Sequence, residues 1–184
     1  MTFTSFRDPL LSALAPRLAR LEPRARALVS GLTPAQLGAT PPGGGWSVGQ
    51  VLEHLCLGNE AYLGPLSAAI EKAKRREGVA RPHRPSFFGG LLARAVAESN
   101  TRRLPTSPKM SPLVARAGVL EAFLATLARL EVLAREADGA DLCTGMWSPI
   151  APVRLNVGDA FVVLIAHGER HLGQAERARR AAGG

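Results

Sequence analysis

Apolar residues recur at helical spacing in four long stretches of this chain, which cover residues 8–30, 46–77, 111–137 and 156–179. No stretch alternates apolar and polar residues in the way a half-buried strand does. Residues 33–37 have the pattern of a short capped turn, and residues 87–98 that of one short helix. The pattern predicts an all-α fold, a four-helix bundle with long connections between helices 1 and 2 and between helices 2 and 3.

The second stretch has the clearest start. Ser47 and Gln50 form the pair that a capping box requires, and Trp46 stands where it can pack on the first turn as a hydrophobic staple. We assign Trp46 to that packing rather than to the wall of a site. Ser111 followed by Pro112 predicts the start of the third helix, because proline fits the first helical position.

Other residues predict interruptions and loops. Pro16 and Pro23 lie inside the first stretch, where each removes a backbone hydrogen bond, so we expect that helix to be kinked or broken. Residues 142–155 contain two prolines and have the composition of a loop. Asn156 then stands where it can cap the last helix.

The composition favours one helical domain. Of 184 residues, 46% are apolar and only 5% are aromatic, so we expect a core of leucine, alanine and valine, which suits helices. The net charge of +8 comes mainly from scattered arginines without interleaved aromatic residues, which argues against nucleic-acid binding. Cys56 and Cys143 form no CxxC pair, and no signal peptide or membrane-spanning run is recognisable. We therefore expect a cytoplasmic protein with no membrane partner.

Two of the four histidines, His167 and His171, are four residues apart in the last stretch. On a helix this spacing puts both side chains on one face, about 6 Å apart along the axis. Imidazole pairs at this spacing recur in helical metal sites, but two ligands rarely suffice. A metal site here therefore needs a third ligand from elsewhere in the chain.

His54 is the candidate third ligand. It lies about two turns from the start of the second helix, and His171 lies about two turns from the end of the last, so antiparallel helices bring both to one level. Three imidazoles leave positions on an ion open for water or substrate. Each histidine alone also fits a simpler interpretation, a core histidine bonded to a carbonyl. His83, in a proline-rich segment, is expected to be an exposed loop residue rather than a ligand.

The sequence around these histidines resembles the DinB-like (DinB/YfiT-like, DinB_2 branch) metalloenzyme superfamily. Residues 45–55, Gly-Trp-Ser-Val-Gly-Gln-Val-Leu-Glu-His-Leu, resemble its W-S-x-x-E/Q-x-x-x-H-L helix start, and residues 167–174 resemble its H-x-x-x-H-x-x-Q. Residues 103–112 and 147–149 are similar to its connecting segments. The resemblance implies one bundle domain over residues 1–184, a divalent metal bound by His54, His167 and His171, and a homodimer.

The resemblance also implies a class of chemistry, because members of this superfamily include thiol-dependent S-transferases and a maleylpyruvate isomerase. We expect a metal-dependent transferase or hydrolase that activates a thiol or water to attack a small-molecule substrate. The expected cofactors are a zinc, nickel, iron or manganese ion and, as a candidate cosubstrate, a low-molecular-weight thiol. The alternative is a non-catalytic interaction module that the metal only staples together.

Supporting residues are less clearly marked. Gln50 and Gln174 are candidates to orient an imidazole or a bound water. Gly58, one turn after His54, either leaves space beside the ion or allows close helix packing. Glu53 and Glu169 are turned away from the ligands by helical geometry. A general base could come from Glu121 or Glu131 on the third helix or from the loops, and the sequence does not select one.

Overall fold

The computed structural model describes residues 6–75, 82–100 and 110–181. In chain order the elements are α1 (Pro9–Val29), α2 (Pro34–Gly38), α3 (Val48–Lys74), α4 (Phe87–Ala95), α5 (Val119–Ala137), β1 (Gly145–Trp147), β2 (Arg154–Asn156) and α6 (Val157–Ala181). The long helices α1, α3, α5 and α6 form the predicted four-helix bundle. Helices α1 and α3 each pack against both α5 and α6, so they occupy opposite corners.

Ion pairs along α1 show its direction relative to α6. Arg17 binds Glu169 and Arg24 binds Glu176, and each pair is 152 residues apart. A constant offset means that the two helices run parallel. Helices α3 and α5 are also parallel, because Cys56 contacts Val119 while Asn59, further along α3, binds Thr126, further along α5. The bundle is therefore built from two parallel pairs rather than from four alternating helices.

The core lies between the four helices and is mostly aliphatic, as the composition predicted. It also contains a paired polar contact, in which the Asn59 amide donates to the Thr126 hydroxyl at 2.9 Å. The largest fully buried side chains come from all four long helices and from the segment after α5: Tyr62, Phe123, Phe161, Leu11, Leu21, Leu52, Leu55, Leu66, Ile70, Leu130, Leu133 and Leu142.

Helix α1 is continuous from Pro9 to Val29, although Pro16 and Pro23 lie within it, so the expected break was wrong. Its leucines bury one face against α5 and α6. Tertiary packing of such a face supplies most of the stability of a helix in a protein and tolerates the bonds that proline removes.

The predicted start of the third helix at Ser111 was also wrong. Helix α5 begins at Val119, after Gly118 in a left-handed conformation with φ 67°. The Gln50 side-chain amide donates to two backbone carbonyls of the segment 110–118, at 3.1 and 3.0 Å. Because these carbonyls accept hydrogen bonds from a side chain of α3, they do not form the internal hydrogen bonds of a helix in that segment.

Residues 142–155 are more ordered than the loop we expected. Strands β1 and β2 pair antiparallel, and Met146 opposes Leu155 with both side chains in the core. The Tyr62 and Ser148 hydroxyls lie 2.8 Å apart and tie the hairpin to α3. Strands of three residues are too short to produce a recognisable alternation in the sequence.

Asn156 caps α6 as predicted. Its Oδ1 accepts from the Asp159 backbone N–H at 2.8 Å, and the Asp159 carboxylate accepts from the Asn156 backbone N–H at 3.1 Å.

His83 packs against the start of α6. The Asp159 carboxylate lies 3.4 Å from His83 Nε2, and only 7% of the His83 side chain is exposed. The expectation of an exposed His83 was therefore wrong. Its ring fits against α6 because Gly158 has no Cβ, which would overlap the imidazole.

Candidate metal centre

Three imidazoles meet between α3 and α6. The ring centroids of His54 and His167 are 4.9 Å apart, those of His54 and His171 4.6 Å, and those of His167 and His171 4.5 Å. One ring nitrogen from each residue can be chosen so that all three lie within 4.8 Å of one another. Bonds of about 2 Å from nitrogen to a metal span this spacing, so the three histidines could hold one ion.

The antiparallel arrangement of α3 and α6 produces this convergence. The His54 ring faces His171, whereas Gly58, four residues further along α3, faces His167, four residues earlier on α6. One turn forward along α3 thus corresponds to one turn backward along α6. The matching of helix levels predicted from the sequence is confirmed.

The orientation of His54 is fixed by the segment that returns the chain to α5. Its Nδ1 lies 2.6 Å from the Met110 carbonyl oxygen, and its side chain is almost completely buried. A carbonyl only accepts, so Nδ1 carries the ring proton and Nε2 keeps its lone pair. Nε2 lies 3.0 Å from Nε2 of His167. A metal-binding histidine commonly donates its other nitrogen to such a carbonyl.

His171 has a buried ring nitrogen that no described group satisfies. Its Nδ1 is buried and has no hydrogen-bond partner among the residues that the structure describes. A buried polar nitrogen left in this way costs about 1–3 kcal/mol. Three such imidazoles form a donor set that suits zinc, nickel or iron, so the residues present fit a divalent ion.

The electrostatic environment keeps the three rings neutral. Burial lowers the pKa of His54, which the Met110 carbonyl partly offsets. Burial lowers the pKa of His167 well below its usual value, and electrostatic interactions with His171, His54 and Arg170 lower it further. For His171, burial lowers the pKa to about 3, despite an opposing interaction with the Gln174 side chain. Neutral imidazoles are the form that binds metal.

This environment predicts the pH dependence of the metal-free protein. Below the usual histidine pKa of 6.5 the unfolded chain binds protons that the folded His171 does not, down to a pH of about 3. The free energy of unfolding therefore falls as pH decreases, by up to about 1.4 kcal/mol per pH unit for each such histidine. Urea unfolding of chelated protein at pH 5, 6 and 7 measures this slope. His171→Gln should reduce it, and an unchanged slope in that variant would contradict the assignment.

The candidate supporting residues have different surroundings. Gln50 completes the capping box of α3 and holds the segment that carries Met110, so its hydrogen bonds act on the rings only indirectly. Gln174 interacts with His171 directly. A Cβ on Gly58 would lie 3.5 Å from Cε1 of His167, an ordinary contact distance. This favours close packing of the ring on α3 as the reason for that glycine.

The position of Gly58 gives a second prediction. Gly58→Ala should retain metal affinity and stabilise α3 by up to about 1 kcal/mol, because alanine is the better helix former. Gly58→Leu should displace the His167 ring and weaken zinc binding in a competition titration. Gly64→Leu is the matched control on the same helix, since no described atom lies within 4 Å of a Cβ there. Equal zinc affinity in the two leucine variants would rule out the ring contact.

Trp46 was assigned only to helix packing, and its position next to the rings was missed. Its ring centroid lies 4.7 Å from that of His54 and 6.1 Å from that of His171. The sequence contains one indirect sign of this position. Trp46 directly precedes the cap of α3, and His54 lies near the same end of that helix.

The carboxylates beside the ligands are occupied elsewhere, as helical geometry predicted. Glu53 accepts hydrogen bonds from Nε and a terminal nitrogen of the Arg116 guanidinium, at 2.7 to 2.9 Å, and from the Arg116 backbone N–H, and these contacts lower the pKa of Glu53. Glu169 binds Arg17 at 2.6 Å. Neither group is placed to act as a general base.

Comparisons with known proteins agree with this geometry. No protein of curated function matches the sequence significantly. Among solved structures, YfiT from Bacillus subtilis, described as a probable metal-dependent hydrolase with an unusual four-helix bundle topology, is similar with a TM-score of 0.56. The two chains are 17% identical, and the match covers 94% of this chain and 87% of YfiT. No helix in the described ranges has the length and apolar character needed to cross a membrane.

The family assignment comes from the sequence itself. Residues 17–175 match the DinB superfamily, which is most of the chain and includes all three histidines. The protein therefore belongs to the DinB superfamily.

Proposed function

We propose that this protein is a metal-dependent hydrolase or S-transferase, in which a divalent ion bound by His54, His167 and His171 activates water or a low-molecular-weight thiol to attack a small-molecule substrate. The observation that carries the proposal is the convergence of three neutral imidazoles, one with an unpartnered buried nitrogen. The description of YfiT as a probable metal-dependent hydrolase supports it.

The ion would supply Lewis acidity, which lowers the pKa of a water or thiol in contact with it. The Met110 carbonyl holds the His54 ring so that its Nε2 faces the other two imidazoles. Glu53 and Glu169 are bound to arginines, so neither is placed to take the proton that the nucleophile would release. Such proton loss needs no strong base when the pKa of the nucleophile is near 7.

A turnover assay with metal reconstitution tests this function. Chelated protein is loaded with zinc, nickel, iron or manganese and assayed against an activated ester, and against an aryl halide in the presence of a small thiol. The expected result is turnover that needs the ion and is lost in His171→Ala but retained in His83→Ala. Turnover that survives chelation, or is equal in both variants, would contradict the proposal.

A non-catalytic interaction module is the second candidate. It is favoured by the exposed apolar face of α4, where Phe87 is 81% and Leu91 58% exposed. This candidate predicts that metal binds stoichiometrically and stabilises the fold while no substrate is turned over.

The single domain over residues 1–184, the homodimer and the cytoplasmic location remain predictions from the sequence. A homodimer predicts twice the mass of one chain in sedimentation equilibrium. Phe87→Ser tests whether the exposed face of α4 contributes to that association.

A further inference from the structure

The backbone places Trp46 at the metal centre in a defined way. Gly44 and Gly45 have φ angles of 75° and 99°, which only glycine adopts easily, and they turn the chain into α3. Immediately after Trp46, the reciprocal hydrogen bonds of Ser47 and Gln50 fix the first turn of the helix. The indole is therefore held by the ordered residues that follow it.

The indole contacts two of the three candidate ligands. Its plane is tilted by 46° to the His54 ring and lies within 29° of the plane of His171. Trp46 is half-buried and also packs on the hydrophobic core. It thus touches one ligand from α3 and one from α6, so it is placed to fix their relative position.

We propose that Trp46 is a positioning residue of the metal centre, which holds the His54 and His171 rings in their ligating orientation and closes one side of the ion. This inference rests on the proposed metal site. An imidazole that rotates freely loses rotamer entropy when it binds an ion, and a packed indole removes that freedom in advance. The indole also lies against one side of these two rings, so water or substrate would reach a bound ion from another side.

The second tryptophan makes a direct proximity test possible. Trp147 lies on β1 and is 65% exposed, and in the described part of the chain Trp46 is the tryptophan in ring contact with His54 and His171. In Trp147→Phe the remaining emission comes from Trp46, and in Trp46→Phe it comes from Trp147. Titration with Co²⁺, a quenching ion, should reduce the emission of Trp147→Phe in step with stoichiometric binding and leave that of Trp46→Phe unchanged.

The functional part of the proposal is tested by affinity and by the visible spectrum of the Co²⁺-loaded protein. Trp46→Ala should weaken Co²⁺ binding by about tenfold or more, as expected for residues that support metal ligands. Its spectrum should change towards a higher coordination number, because the uncovered side admits water. Trp46→Phe should restore both properties in large part, and Trp147→Ala should match the wild type.

The outcomes separate this inference from the metal site itself. If Trp147→Phe binds Co²⁺ without quenching, the role of Trp46 is overturned and the metal site itself stands. This variant keeps Trp46, so the result does not depend on how a Trp46 variant folds. Wild-type affinity and spectrum in Trp46→Ala would also overturn the role. If Trp46 only supports the fold, Trp46→Ala will lose thermal stability without metal but keep the wild-type cobalt spectrum, and that result too would contradict the positioning role. A wild-type protein that binds no ion would overturn the proposed function.

Discussion

Zinc is expected to raise the free energy of unfolding of the wild-type protein by about 4 kcal/mol when the free ion is 1,000-fold above its dissociation constant. The reason is that the three imidazoles come together only in the folded chain, so the ion binds the folded state and not the unfolded one. In His171→Ala two ligands remain, and the stabilisation should largely disappear. Urea unfolding with and without buffered zinc measures the difference.

His83→Ala is the matched control for this experiment. It removes another poorly exposed imidazole, but one that lies against Asn156 and Asp159 at the start of α6 rather than beside the triad. Its metal-free stability should fall, whereas its response to zinc should equal that of the wild type. Equal zinc stabilisation of His171→Ala and the wild type would remove His171 from the site.

Arg116→Ala is expected to lower the free energy of unfolding by about 2–3 kcal/mol, because it leaves the Glu53 carboxylate buried without its cation. Arg116 binds Glu53 through Nε and a terminal nitrogen, and only 9% of the Glu53 side chain is exposed. The variant should also bind metal more weakly, since Arg116 anchors the segment whose Met110 carbonyl orients His54. Urea unfolding and a zinc competition titration measure the two effects.

Two further variants isolate the cause. Glu60 binds the same arginine but has a side chain that is 41% exposed, so Glu60→Ala should cost less than about 1 kcal/mol. The double variant Arg116→Ala/Glu53→Gln removes the buried charge together with its partner and should recover part of the loss. Equal effects of Arg116→Ala and Glu60→Ala would show that burial of Glu53 does not determine the stability of this contact.

The sequence was most informative where regular helices determine geometry. A helix advances by a fixed rise and rotation per residue, so four residues separate His167 from His171 by one turn. Counting from the cap at Ser47 likewise gave the level of His54 correctly. Only the antiparallel direction of two helices had to be added, and the structure confirms it.

The connections were predicted less well because distant contacts determine them. Ser111 and Pro112 have the local chemistry of a helix start, yet the Gln50 amide takes carbonyls of that segment and α5 begins later. His83 is surrounded by prolines in the sequence, but its environment is set by Asp159, more than 70 residues away. Trp46 was missed as a neighbour of the rings for the same reason: His171 contacts it only after α6 has packed on α3.

The most direct test of the metal centre is elemental analysis of the wild type, His54→Ala and His83→Ala, expressed and purified in parallel. The wild type and His83→Ala should contain one divalent ion for each chain, because their three ligands are intact. His54→Ala should contain almost none, since it lacks the ligand from α3. Equal metal content in the wild type and His54→Ala would contradict the site.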